Sequence, residues 1–165
     1  MQRRTTLSGQ LLALQLLIML GVLAGVTAVS IAQSGESTRR AESRSARAAA
    51  ESIAGSPLVR ATLPRATAGG EGFLSTAAET SRSLSGARSV LLIEVDGTVI
   101  TSADPGQIGT RFTFADSLVP KGRSWTGLID GPSGTMVSSQ VPVFAPEEQR
   151  IVGVAVVEKT YPSVL

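Results

Sequence analysis

Hydrophobic and polar positions divide this chain into three regimes. From residue 11 to 32, LLALQLLIMLGVLAGVTAVSIA, no side chain is charged. At ~1.5 Å per residue, a helix of that length crosses a hydrocarbon layer of about 30 Å and satisfies its own backbone groups there. From 35 to 85 the apolar residues recur at helical spacing. Ala46, Ala49, Ala50 and Ile53 draw a narrow stripe along a helix over 35–55, with Glu36, Arg40 and Arg44 on its solvated side. Gly55 ends it. Ser56 then caps, and Pro57 opens, a short helix to about Leu63 that Pro64 closes. Beyond a flexible loop at 65–72, Phe73, Leu74, Ala77, Ala78 and Leu84 mark the buried side of a third helix over 73–85, which Gly86 terminates.

After Gly86 the period drops to that of strands. Ser89 to Val95 and Thr98 to Ser102 read as a hairpin around Asp96-Gly97, a type I′ signal with positive φ at both positions. Residues 104–112 form a turn-rich loop, and Phe114 to Leu118 one helical turn. Strands follow at Trp125 to Asp130, Thr135 to Phe144 and Ile151 to Glu158, separated by turns at 131–134 and 146–149. Pro142 implies an edge position or a bulge, since proline cannot donate to a ladder. The last strand is the most apolar and is expected at the sheet centre. The fold class is therefore α+β: an N-terminal transmembrane helix and a long helix, then a five-stranded antiparallel sheet with helices on one face.

Arg3 and Arg4 precede the apolar run and account for the whole net charge of +2. By the positive-inside rule they hold the N-terminus in the cytoplasm and place residue 33 onward outside. The alternative is a cleaved signal peptide ending at Ser30-Ile31-Ala32; the length of the run favours a retained anchor. Gly21 and Gly25 form a G-x-x-x-G face through which two membrane helices can approach, so a homodimer is a candidate state. Charge balance beyond the anchor speaks against a nucleic-acid partner. The chain has no cysteine and no histidine. That removes disulfides, Cys/His zinc sites, histidine-dependent nucleophile systems and a phospho-acceptor histidine. No metal, cofactor or catalytic residue is expected: Asp96, Asp104, Asp116 and Asp130 are possible acid–base groups, but three sit in turns and nothing sets their spacing.

The succession ESIAGSPLVRATL, SVLLIEVDGTVITSADPGQIGTRF and VPVFAPEEQRIVGVAVVE, behind an N-terminal anchor, resembles the extracytoplasmic sensor region of bacterial sensor histidine kinases of the citrate/dicarboxylate type. Those regions have a PAS-like, single Cache fold. The resemblance implies a cytoplasmic tail at 1–10, a transmembrane helix at 11–32, a sensor domain at 33–160, and at 161–165 the start of a second membrane helix leading to the kinase. A response regulator would be engaged only through that kinase. Sensor regions of chemoreceptors or diguanylate cyclases, and a stand-alone anchored binding protein, are the alternatives.

In the resembled family a carboxylate ligand lies between the sheet and the loops over it. An Arg and a His near the second strand, an aromatic after I-G, and an Arg on the fourth strand hold it. Carried over, these positions are Thr101, Asp104, Phe112 and Ser138. Only the aromatic survives. Arg111, beside Phe112, is the best replacement cation, with Arg88, Lys121 and Arg123 as others. A di- or tricarboxylate would meet Asp104 at a cost of several kcal/mol, on the order of a like-charge contact at intermediate dielectric. A neutral polar or cationic small molecule, or no ligand, is expected.

Overall fold

A computed structural model describes residues 7–70, 72–131 and 134–161, with side chains at 9–30 and from 39 onward. Arg3 and Arg4, the side chains of Ile31, Ala32 and Glu36, the middle of the 131–134 turn and residues 162–165 lie outside that description. Contacts divide the chain into two units, Met1–Thr38 and Arg39–Leu165.

The described part of the first unit is helical. Helix α1 runs Leu7–Gly55. Its segment Gly9–Ser30 has a mean hydropathy of 2.3, and none of it is buried. Leucines, valines and isoleucines face outward all round it, as a lipid-embedded helix requires. Nothing lies within 4 Å of an ideal Cβ at Gly21 or Gly25, so their shared face is open.

The second unit is a sheet with helices on one side. Helix α2 spans Pro57–Thr62 and continues as a 3₁₀ turn, Leu63–Arg65; α3 spans Gly72–Ser85. The strands are β1 (Ser89–Ile93), β2 (Val99–Thr101), β3 (Trp125–Gly131), β4 (Gly134–Phe144) and β5 (Ile151–Thr160). All pairings are antiparallel, in the order β2-β1-β5-β4-β3. The most apolar strand is central, as its unbroken hydrophobic run demands. Even-numbered β1 residues Val90 and Leu92, with Ala155 and Val157, pack under Ala46, Ala50, Ile53, Val59, Leu63, Leu74 and Ala78. Leu91, Ile93, Val99, Val154 and Val156 form a second cluster on the opposite face.

Three contacts tie the helical layer to the sheet. Gly153 leaves room for Leu63, since an ideal Cβ there would lie 2.5 Å from Leu63 Cδ2 and 2.5 Å from the Ile93 carbonyl oxygen. Lys159, 8% exposed, places Nζ 3.0 Å from Glu42 Oε2 and donates to Ser45 Oγ at 3.0 Å. The end of β5 is thereby strapped to α1. At the other end, Arg60 donates to the carbonyls of Phe144 and Ala145 at 2.7 and 2.8 Å.

Four local expectations change. The Asp96-Gly97 hairpin is present, but only Gly97 has positive φ, at +95°. The Gly97 amide donates to the Glu94 carbonyl and the Glu94 amide to Thr98. The loop is therefore three residues, a tight turn closed by a left-handed glycine. The helical turn expected at 114–118 lies instead at Val119–Lys121, because Asp116 accepts from the Leu118 amide and caps the turn from outside. On α3, Leu74 and Ala78 are buried and Ala77 half-buried, but Phe73 is 40% and Leu84 85% exposed. Both line a groove of about 540 Å³ between α1 and α3, with Ala48, Ala49 and Ser52. The helix meets the sheet along a narrow line, and its flanks turn outward. Pro142 sits on an inner strand, but β3 ends at the Trp125–Gln140 pair, so that stretch of β4 has an open flank. The register shift falls one residue on, between Val143 and Phe144.

Candidate ligand site on the loop-side face of the sheet

The connection from β2 to β3 folds over the sheet face away from the helices. Gln140, 1% exposed, accepts from the Ala115 amide at 3.1 Å and pins this connection down. Phe112 and Phe114 meet edge to face at 5.6 Å. With Val119 and Trp125 they pack on Leu91, Ile93, Val154 and Val156. Apolar side chains occupy the upper part of this face.

Below them the chemistry changes. One row across the sheet reads Gly127, Ser138, Glu158, Ser89 on β3, β4, β5 and β1, and paired residues share a face. Parity puts this row on the loop side with Val156 and Gln140. Ser138 is fully buried, and its Oγ has no hydrogen-bond partner among the described residues. Such a group costs about 1–3 kcal/mol unless something answers it. Burial pushes the Glu158 carboxyl above its ordinary value, and the positive charge of Arg88 opposes the shift. An ideal Cβ at Gly127 would lie 2.6 Å from Trp125 Cζ2, so the indole rests against that glycine, beside Ser138.

The residues carried over from the resemblance do not converge. Ser138 and Phe112 lie on the loop side. Thr101 faces the helices, donating to Ser75 Oγ at 3.2 Å; the β1–β2 register shift beside Leu92 places it there. Asp104 accepts from the Gly106 amide at 2.9 Å and caps the turn Pro105–Gln107. Arg111 is exposed and engaged with the hairpin: it donates to the Asp96 carbonyl, with its other nitrogen 3.8 Å from the Asp96 carboxylate. Hydrogen bonds from the Thr98 amide and hydroxyl hold that carboxyl below its usual range, Arg111 adding to the effect. Arg88 is exposed, and its amide donates to the Glu158 carbonyl at 2.8 Å. Sequence reasoning passed over Glu158 and Gln140. The signal was there: both fall in the alternating register of apolar loop-side residues, Glu158 two beyond Val156. Among the described residues, no cluster of three or more acidic side chains gathers for a metal.

A PAS-like sheet with a helical layer behind it and a loop layer over a partly polar face defines an extracytoplasmic-type sensor module. The family model for single cache domain 3 matches residues 33–158, and the chain belongs to that family. Among solved structures it is similar to the sensor domain of Escherichia coli DcuS, at 21% identity and a TM-score of 0.63 over 74% of this chain and 90% of that one. It is also similar to the sensor domain of the Vibrio cholerae histidine kinase DctB, at 21% identity and 0.65 over 82% of this chain. It spans about half of that structure, 55%. The sensory domain of the Campylobacter jejuni chemoreceptor Tlp3, solved with isoleucine bound, matches at 14% identity and 0.50, over 79% of this chain and 55% of that one. No curated protein matches the sequence.

Proposed function

We propose that this chain is the extracytoplasmic sensor region of a membrane-bound sensor histidine kinase, with its N-terminus in the cytoplasm. The Gly21/Gly25 face pairs two copies, and the loop-side face receives a small molecule. The observation that carries the reading is the joining of an exposed apolar helix, Gly9–Ser30, to a single Cache domain in one chain. The likeness to the DcuS and DctB sensor domains supports the kinase assignment. Occupancy biases one of two arrangements of the domain and is read at the end of β5. A decisive shift requires roughly 5 kcal/mol of differential affinity between them.

The ligand is a neutral polar or cationic molecule. Arg111 is engaged at the hairpin, Thr101 faces the helices, and the buried polar row carries Glu158. None of this suits a dicarboxylate, which needs convergent cations. Calorimetry on the full chain with citrate, malate and fumarate gives no saturable heat; micromolar binding of any of them overturns the ligand class. Because the native chain has no cysteine, a single Ser117→Cys variant reports topology. An impermeant maleimide labels it in intact cells, and protection refutes the orientation. A chemoreceptor's sensor region is the second reading, favoured by the likeness to Tlp3; reading the gene beyond the codon for residue 165 separates the two.

A further inference from the structure

The row at the lower end of the loop-side face has three unusual members side by side. Ser138 is fully buried with an unanswered hydroxyl, and Glu158 stands directly opposite it across the β4–β5 pair. Directly opposed residues have Cβ atoms about 4.5–5.5 Å apart, close enough for one small group to touch both. On the other flank the Trp125 indole lies against Gly127, the residue paired with Ser138. A carboxylate, a hydroxyl oxygen and an aromatic face are the three elements that recognise an organic ammonium. The carboxylate supplies the counter-charge, the hydroxyl accepts an N–H, and the ring quadrupole attracts the cation.

We propose that Glu158, Ser138 and Trp125 form a subsite for the ammonium group of a small organic cation. The inference deepens the sensor reading and rests on it. Glu158 and Trp125 lie outside the positions that the family resemblance carries over, so this subsite is a different recognition chemistry on the same face. Ser138 Oγ, left without a partner among the described residues, gains one when the ammonium binds. The half-buried Glu158 carboxyl, held above its ordinary value by burial with the charge of Arg88 opposing the shift, gains a second positive charge beside it. Gly127 matters sterically. Any side chain there would meet the indole and lift it from the row.

The subsite carries its own reporter, because Trp125 is the only tryptophan in the chain. The full chain in detergent micelles is titrated with ethylammonium and propylammonium, each against the neutral alcohol of the same length (ethanol, 1-propanol) at fixed ionic strength. The expected result is a saturable change in Trp125 emission with at least one cation and none with its isostere. Glu158→Gln weakens binding of that cation at least tenfold, and Ser138→Ala by a few-fold. If cations and isosteres act alike, or if Glu158→Gln binds as tightly as the native chain, the ammonium subsite is refuted. The cation–isostere comparison needs no variant, so a misfolded Glu158→Gln leaves the test intact. Hydrogen exchange over 102–124 separates the two readings. Protection by a neutral compound, with cations inert, keeps the sensor assignment and removes this subsite; silence towards every compound removes this subsite and leaves the sensor assignment to the labelling test.

Discussion

Gly153→Ala tests how the helical layer is seated on the sheet. The added methyl would meet Leu63 Cδ2 and the Ile93 carbonyl oxygen at 2.5 Å each, with Leu63 Cγ at 3.3 Å. Ordinary contact begins near 3.4 Å, so the overlap is roughly 1 Å on two sides. Leu63 is fully buried and has little room to swing away. Ile93 belongs to β1 and pairs with Val154 in the centre of the sheet. Overpacking of this kind costs about 1–3 kcal/mol. Alanine's smaller loss of backbone freedom in a strand returns about 0.5–1 kcal/mol. The net destabilisation is about 1–2 kcal/mol, or roughly 3–10 °C in Tm for a domain of this size. Thermal unfolding of the full chain in micelles, followed by Trp125 emission, measures it. In a Leu63→Ala background the methyl enters the vacated space, so the two changes are sub-additive by about 1 kcal/mol or more. A Gly153→Ala protein that unfolds within about 1 °C of the native chain, or strict additivity with Leu63→Ala, refutes the packing argument.

Other perturbations have defined outcomes. Glu42→Gln leaves the nearly buried Lys159 ammonium without its carboxylate; since Glu42 is a third exposed, the loss is about 1–3 kcal/mol, below the full cost of breaking a buried pair. Chemical denaturation should show the double variant Glu42→Gln/Lys159→Met to be more stable than Glu42→Gln alone; the opposite order refutes the strap. Because Glu158 holds its proton more tightly folded than unfolded, folding takes up a proton between the two pKa values. Its contribution to stability is full at acid pH and lost as pH rises from about 4.5 through the raised value. A Tm–pH profile of Glu158→Gln lacks that decline; identical profiles show the carboxyl to be unperturbed. Gly97→Ala forces a non-glycine residue to φ +95° and crowds the Phe112 carbonyl oxygen, 3.1 Å from the new Cβ. It costs about 1–2 kcal/mol, and a Tm equal to the native value rules out the left-handed glycine.

The fold was largely legible because its two periods are clean. An uncharged run, an alanine stripe and a set of β-branched runs each leave one structural option, and β5 declared its central place by having no polar side to turn outward. Turn detail was less legible. Asp-Gly is compatible with both a two-residue and a three-residue hairpin loop, and the choice rests on the Glu94 and Thr98 backbone hydrogen bonds. Phe73 and Leu84 were misjudged because a hydrophobic stripe states only that a helix has an apolar side. Here α1 and α3 diverge around a groove, and the stripe's edges are left facing it. At the site the difficulty was register. A shift beside Leu92 moves Thr101 to the helical face, which no count along β2 reveals. Glu158 is one acid at the end of an apolar strand. It reads as a strand terminus until Ser138 and Ser89 are seen on either side.

The Lys159–Glu42–Ser45 contact has a mechanical consequence. Both contacts hold at 3.0 Å, so the Glu42–Ser45 stretch of α1 cannot slip a helical turn of about 5.4 Å along β5 without breaking them. The tail of β5 is thus fastened to the helical layer without the loops above the sheet taking part. The long connection between β2 and β3 is held separately, by the Ala115 amide on Gln140 at 3.1 Å, so the base of the domain and the layer over the sheet are fastened at independent points.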